Sequence, residues 1–141
     1  MKYSHILVAI ELSEDSKVLI DRAVFLADQF NAKVSFIHID GSHGEIYPEL
    51  IDLQQSYENP PINKHALEQI QAFVDYAQVP ITHNLIGTGA LSEKLQATIT
   101  DNGFDLLIAG HHHDFWSSIV SYSKNLIDKS PIDILVVPIE S

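Results

Sequence analysis

The chain has 141 residues, with 8 basic and 19 acidic side chains and a net charge of −11 when its eight histidines are neutral. At about 150 residues per domain that is one domain, long enough to bury roughly 70% of the surface its unfolded form exposes. A hydrophobic content of 45%, a single arginine (Arg22) and no cysteine argue against a disordered chain, a nucleic-acid binder, a disulfide scaffold and thiol chemistry.

No apolar run reaches the roughly 18 residues of a membrane-spanning helix, and the acidic charge disfavours an anionic membrane surface. Met1 to Ile10 reads as a strand, not as a signal peptide, so a soluble cytoplasmic protein is expected.

In chain order, the first strand runs from His5 to Ile10. A helix follows, with Leu19, Ala23, Leu26, Ala27 and Phe30 on one face, spaced as an amphipathic helix requires. Ser13 is its expected N-cap, with Glu14 and Asp15 in the first turn, where negative charge meets the positive end of the helix dipole. The second strand covers Lys33 to Ile39. Residues 40–61 form one long irregular segment, with Gly41, Gly44, Pro48, Pro60 and Pro61. A loop of this length in a small domain is often functional.

A second helix carries Ala66, Ile70, Phe73, Val74 and Ala77. The third strand, Pro80 to Ile86, is polar and alternating, the pattern of an edge strand. Leu91, Leu95, Thr98, Ile99 and Asn102 predict a third helix, closed by Gly103 as a left-handed cap. The fourth strand, Asp105 to Gly110, is nearly continuous in apolar residues, as a strand buried on both faces should be. Phe115, Trp116, Ile119, Val120, Leu126 and Ile127 predict a fourth helix. The last strand runs from Ile132 to Pro138. Strict alternation of strand and helix implies an open parallel sheet with right-handed crossovers and helices on both faces.

In such a sheet ligands bind beyond the carboxyl ends of the strands, at the switch in strand order. The loops there are Glu11-Leu12-Ser13 and Gly110 to Phe115. The second reads Gly110-His111-His112-His113-Asp114-Phe115-Trp116. With Ile6 to Ile10, Asp105 to Gly110 and Ile134 to Pro138 in this order, the chain resembles the universal stress protein family over its whole length, and its A-type subgroup in that loop. The resemblance implies a Rossmann-like α/β fold with five parallel strands in the order 3-2-1-4-5. It also implies a cytoplasmic, non-enzymatic role in survival of stress and growth arrest, including tolerance of DNA-damaging agents.

Family members that bind ATP carry a glycine, two residues, a second glycine, nine residues, then glycine followed by Ser or Thr. Laid on this chain the positions are Gly110, His113, Ser123 and Lys124. Three of the four depart, and Glu11 stands where the family usually has Asp after the first strand. An imidazole at 113 fills the space where phosphates approach bare backbone. One lysine at 124 does not restore that cradle. The resemblance therefore implies no family-type ATP site and no cofactor; a nucleotide-binding switch is the alternative.

His111, His112, His113 and Asp114 have the donor types for zinc or a transition metal. Three consecutive residues cannot all face one ion, which favours a polar loop over a metal site. Protonating all eight histidines would take the charge from −11 to −3, so a pH effect on association is also conceivable. No serine has a sequence-local base, and Ser13, Ser92 and Ser117 read as caps or loop hydroxyls, so no catalytic residue is expected. Glu11 reads as a solvated or capping carboxylate. Gly87-Thr88-Gly89 lacks the third glycine of a dinucleotide fingerprint. Phe115 and Trp116 read as core anchors.

Ile134, Leu135, Val136 and Val137 are apolar on both faces of the last strand. The family's strand order puts this strand at an edge, where an apolar strand invites pairing. A homodimer through Ile134 to Pro138 is expected, as the resemblance also implies. Other protein partners stay open; nucleic acid and membrane are not expected.

Overall fold

The first strand is built from residues that leave no polar side chain for water between Ile6 and Ile10. In the computed structural model, which describes residues 3–10, 14–40, 51–52, 64–88, 103–110 and 132–137, β1 (His5–Ala9) is buried along its whole length. It lies in the middle of the sheet, paired parallel with β2 (Lys33–Asp40) on one side and β5 (Leu106–Gly110) on the other. β4 (Ile81–Thr88) pairs parallel with β2, and β6 (Asp133–Val137) with β5. These five strands have the expected order. A sixth, β3 (Ile51–Asp52), lies antiparallel on the outer side of β4.

β3 corrects two expectations. The segment 40–61 is not wholly irregular, and the third predicted strand is not the edge. β4 looked like an edge strand because its pattern is interrupted. Three residues of β2, Val34 to Phe36, face four of β4, Ile81 to Asn84. Such a bulge breaks the alternation of faces. Ile81, Asn84, Leu85 and Ile86 are nonetheless buried.

Helix α1 (Ser16–Phe30) buries Leu19, Ile20, Ala23 and Ala27. Ile20 lies outside the stripe read from sequence, yet it is fully buried as part of the apolar core. The helix starts later than expected. Asp15, not Ser13, is at the N-cap, and its side chain makes no capping bond. Glu14 and Asp15 precede the helix, and their carbonyls accept the amides of Lys17 and Val18. α2 (Lys64–Ala77) buries Ala66, Ile70, Phe73 and Ala77 as its spacing predicts.

Ile6 and Val8 of β1, with Ile10 just after it, pack with α1 and α2 residues in one apolar core, joined by Val34, Phe36, Leu106 and Ile108. The alternate residues Leu7, Ala9, Ile37, Leu85, Leu107 and Ala109 point to the other side of the sheet and are buried as well. Both faces are thus covered, which is why β1 and β5 can be apolar throughout. The predicted third and fourth helices lie outside the described residues. Gly103, their expected boundary, has a left-handed φ of 67°.

Candidate functional site

The chain runs from β1 outward to β2 and β4, then returns to the opposite side of β1 with β5 and β6. The switch in order therefore falls between β1 and β5, where parallel sheets bind ligands beyond the carboxyl ends of their strands. β1 ends at Ala9, and the amide of the next residue, Ile10, donates to the Ile37 carbonyl at 2.8 Å. Nδ1 of His38 donates to the Ile10 carbonyl at 2.9 Å. β5 ends at Gly110, which is buried and stands opposite Val137 in β6. Gly110 is therefore at the position expected for the first member of a phosphate loop.

Glu11, His111, His112, His113, Asp114, Ser123, Lys124 and Pro138 lie outside the described residues. Sequence reasoning missed His38. Its signal is a histidine inside the apolar run of β2, at the strand's carboxyl end.

The amino ends of the strands hold a second cluster, also missed. The Asp105 carboxylate accepts the Ser4 amide at 2.8 Å, the Ser4 hydroxyl at 2.9 Å and the His5 amide at 3.1 Å. Tyr3 donates its hydroxyl to Asp133 at 2.6 Å, and this bond raises the phenol's pKa above its usual 10. At the bulge of β4, the His83 amide donates to the Ser35 hydroxyl at 3.0 Å. That hydroxyl lies 2.7 Å from Nε2 of His5. Ser35 Oγ, which accepts the His83 amide, keeps a hydrogen and a second lone pair, so His5 Nε2 accepts from it in one neutral tautomer and donates to it in the other. The His5 ring lies 4.3 Å from that of Phe104 and is stacked at 5.9 Å on that of His83.

A serine bonded to a histidine invites comparison with a nucleophile and its base. Ser35 is fully buried, and the Asp105 carboxylate holds the His5 backbone amide, not its ring. No substrate reaches this hydroxyl, so the pair is part of the frame. Among the described residues, no group of three or more His, Cys, Asp or Glu is placed to hold a metal. No helix among them is long and apolar enough to cross a membrane.

A cleft of about 520 Å³ opens between the end of α1 and the starts of β2 and β4, lined by Val24, Phe25, Val34 and Val79 with Asp28 and Lys33. It has the size of a small-molecule site. Charges of both signs line it, and they select no single ligand chemistry. At the other side of the sheet, β6 is an edge strand: Ile134, Leu135 and Val136 are half-buried and Val137 is buried.

Comparison with known proteins adds relatives to this geometry. The profile of the universal stress protein family matches residues 2–138. Universal stress protein A of Escherichia coli strain K12 is 40% identical over 142 residues, covering 99% of this chain and 96% of that protein. The universal stress protein A homolog of Haemophilus influenzae is 37% identical, covering 97% of each. Among solved structures, a universal stress protein in complex with cAMP superposes with a TM-score of 0.66 at 20% identity, covering 98% of each chain.

Proposed function

Given that the chain belongs to the universal stress protein family, we propose that it is a cytoplasmic, non-enzymatic homodimer of the A type. It supports survival of stress and growth arrest, including resistance to DNA-damaging agents, without family-type ATP binding. The observation that carries this reading is 40% identity to universal stress protein A along nearly the full length of both chains. His113, Ser123 and Lys124 support the nucleotide-independent part. They put a ring and two longer side chains where a phosphate cradle needs glycine and a small hydroxyl residue. With a charge of −11, an effect on DNA damage runs through other molecules and not through duplex binding.

A second reading has its own support. A solved neighbour was crystallised with cAMP, which favours a nucleotide-responsive switch using the Gly110 end of β5. Calorimetry decides between them. Untagged protein is titrated with Mg–ATP and with cAMP, beside a variant carrying His113→Gly, Ser123→Gly and Lys124→Ser. The first reading expects heat from neither nucleotide with the native chain and gain of ATP binding in the variant. Micromolar binding by the native chain would put the switch reading first.

The dimer rests on the half-buried aliphatic edge of β6, since an uncovered apolar edge strand favours pairing. Val136→Asp would bury an unpaired charge in that contact. Sedimentation is expected to give monomer at micromolar concentration; an unchanged dimer of unchanged stability would rule out pairing through this strand.

A further inference from the structure

A buried histidine whose bonds cross strands sits at the irregularity in the sheet. His5 is 8% exposed. Its Nε2 is fastened to Ser35 of β2, and the same hydroxyl holds the extra amide that the bulge creates in β4. One hydroxyl thus joins β1, β2 and β4 where the ladder between β2 and β4 is out of register.

We propose that the His5–Ser35–His83 contact is an acid-sensitive latch, in which neutral His5 accepts the Ser35 hydroxyl at Nε2 and gain of a proton by His5 releases the bulge of β4 and opens the amino ends of the sheet. The chemistry follows from the donor count. A protonated His5 presents N–H at Nε2 and cannot accept the Ser35 hydroxyl proton. Ser35 would then receive two N–H donors and have to redirect its own hydrogen inside a fully buried site.

The surrounding charges resist such a proton. Lys33 stands opposite His5 in the register of β2, and His83 presents its imidazole from β4. Phe104 offers an apolar ring. Among the described residues the anion facing His5 is Asp105, just ahead of β5, and its carboxylate is already engaged by Ser4 and the His5 amide. Burial first, then His83 and Lys33, pull the His5 pKa from 6.5 down to about 4.

The sign is fixed by linkage. The open form takes up the proton at the ordinary 6.5 and the closed form only near 4. The closed form is fully favoured above pH 6.5, loses ground between 6.5 and 4, and levels off below 4. Between pH 7.5 and pH 5 the opening equilibrium is expected to rise about 30-fold. The opened form uncovers the ring of Phe104, which is 4% exposed when closed. It is therefore stickier toward apolar surfaces than the neutral form.

Amide hydrogen exchange on the full chain, expressed as protection factors at pH 7.5 and pH 5, tests this directly. The His83 amide and its neighbours in β4 are expected to lose about 30-fold in protection, while Leu107 and Ile108 in β5 change less than threefold. His5→Phe keeps a ring against Phe104 and is expected to abolish the pH dependence at His83. Equal loss across the whole sheet would mean global acid unfolding and would overturn the latch. So would an unaltered pH response in His5→Phe. If that variant does not fold, the ring carbon shifts of His5 in the native protein decide. Titration near 4 supports the latch, and titration near 6.5 refutes it.

Discussion

The two ends of this sheet are made differently. At the amino ends of the strands, side chains do the fastening: Asp105 binds Ser4 and His5, Ser35 binds His5 and His83, and Tyr3 binds Asp133. These bonds tie together all five parallel strands. At the carboxyl ends, the bonds among the described residues run from the Ile10 amide to the Ile37 carbonyl and from the His38 imidazole to the Ile10 carbonyl. The first end is held by side-chain acceptors, Asp105 and Ser35, and the second by main-chain carbonyls. A parallel sheet can carry different loops at one end because the other end is held independently of them.

The sharpest way to break this comparison is Asp105→Ala. It leaves the Ser4 amide, the Ser4 hydroxyl and the His5 amide without their acceptor. Bonds to a charged group contribute more than neutral ones, so the expected cost is about 3 kcal/mol in urea denaturation. A cost below about 1 kcal/mol would mean that the amino end is not the fastened one. His38→Phe makes the parallel test at the carboxyl end. It removes one donor from the Ile10 carbonyl, and about 1 kcal/mol is expected in the same measurement. If it matched Asp105→Ala, the two ends would be held equally.

The smallest effect has the opposite sign. Gln78 follows α2 with φ of 57°, a left-handed conformation that costs a side-chain-bearing residue energy. Gln78→Gly is expected to raise stability by about 0.5 kcal/mol, seen as a Tm increase of about 1–2 °C. A decrease would show that the Gln78 side chain contributes more than its backbone costs.

The parallel strands and most of the buried faces of both helices were legible in the sequence, because runs such as Ile6 to Ile10 and stripes such as Ala66, Ile70 and Phe73 have a period that burial imposes; the order of the strands came from the family resemblance. The β3 pairing was not legible, since two residues carry no period. The bulge was not legible either. It arises between β2 and β4, far apart in the chain, and it made a buried strand resemble an edge. The amino-end cluster was hidden for the same reason: Ser35 meets His83 across 48 positions, and no local pattern marks either. At the carboxyl ends, Gly110 could be placed from its position after an apolar strand, whereas the Ile10 carbonyl that His38 meets lies 28 positions away and no local pattern marks the pair.

The central position of β1 also governs when the molecule can become itself. Its neighbour β5 arrives late: His5 and Asp105 are 100 positions apart. Closing so large a loop is entropically costly and slows folding. On the ribosome, β1 can find β2 early, but its other side stays open until most of the chain has emerged. β5, apolar along its length, then waits for β6. For that interval the nascent chain displays an uncovered hydrophobic ribbon. The same arrangement that hides β1 so completely in the finished protein makes its assembly depend on the last strand to be synthesised among those described.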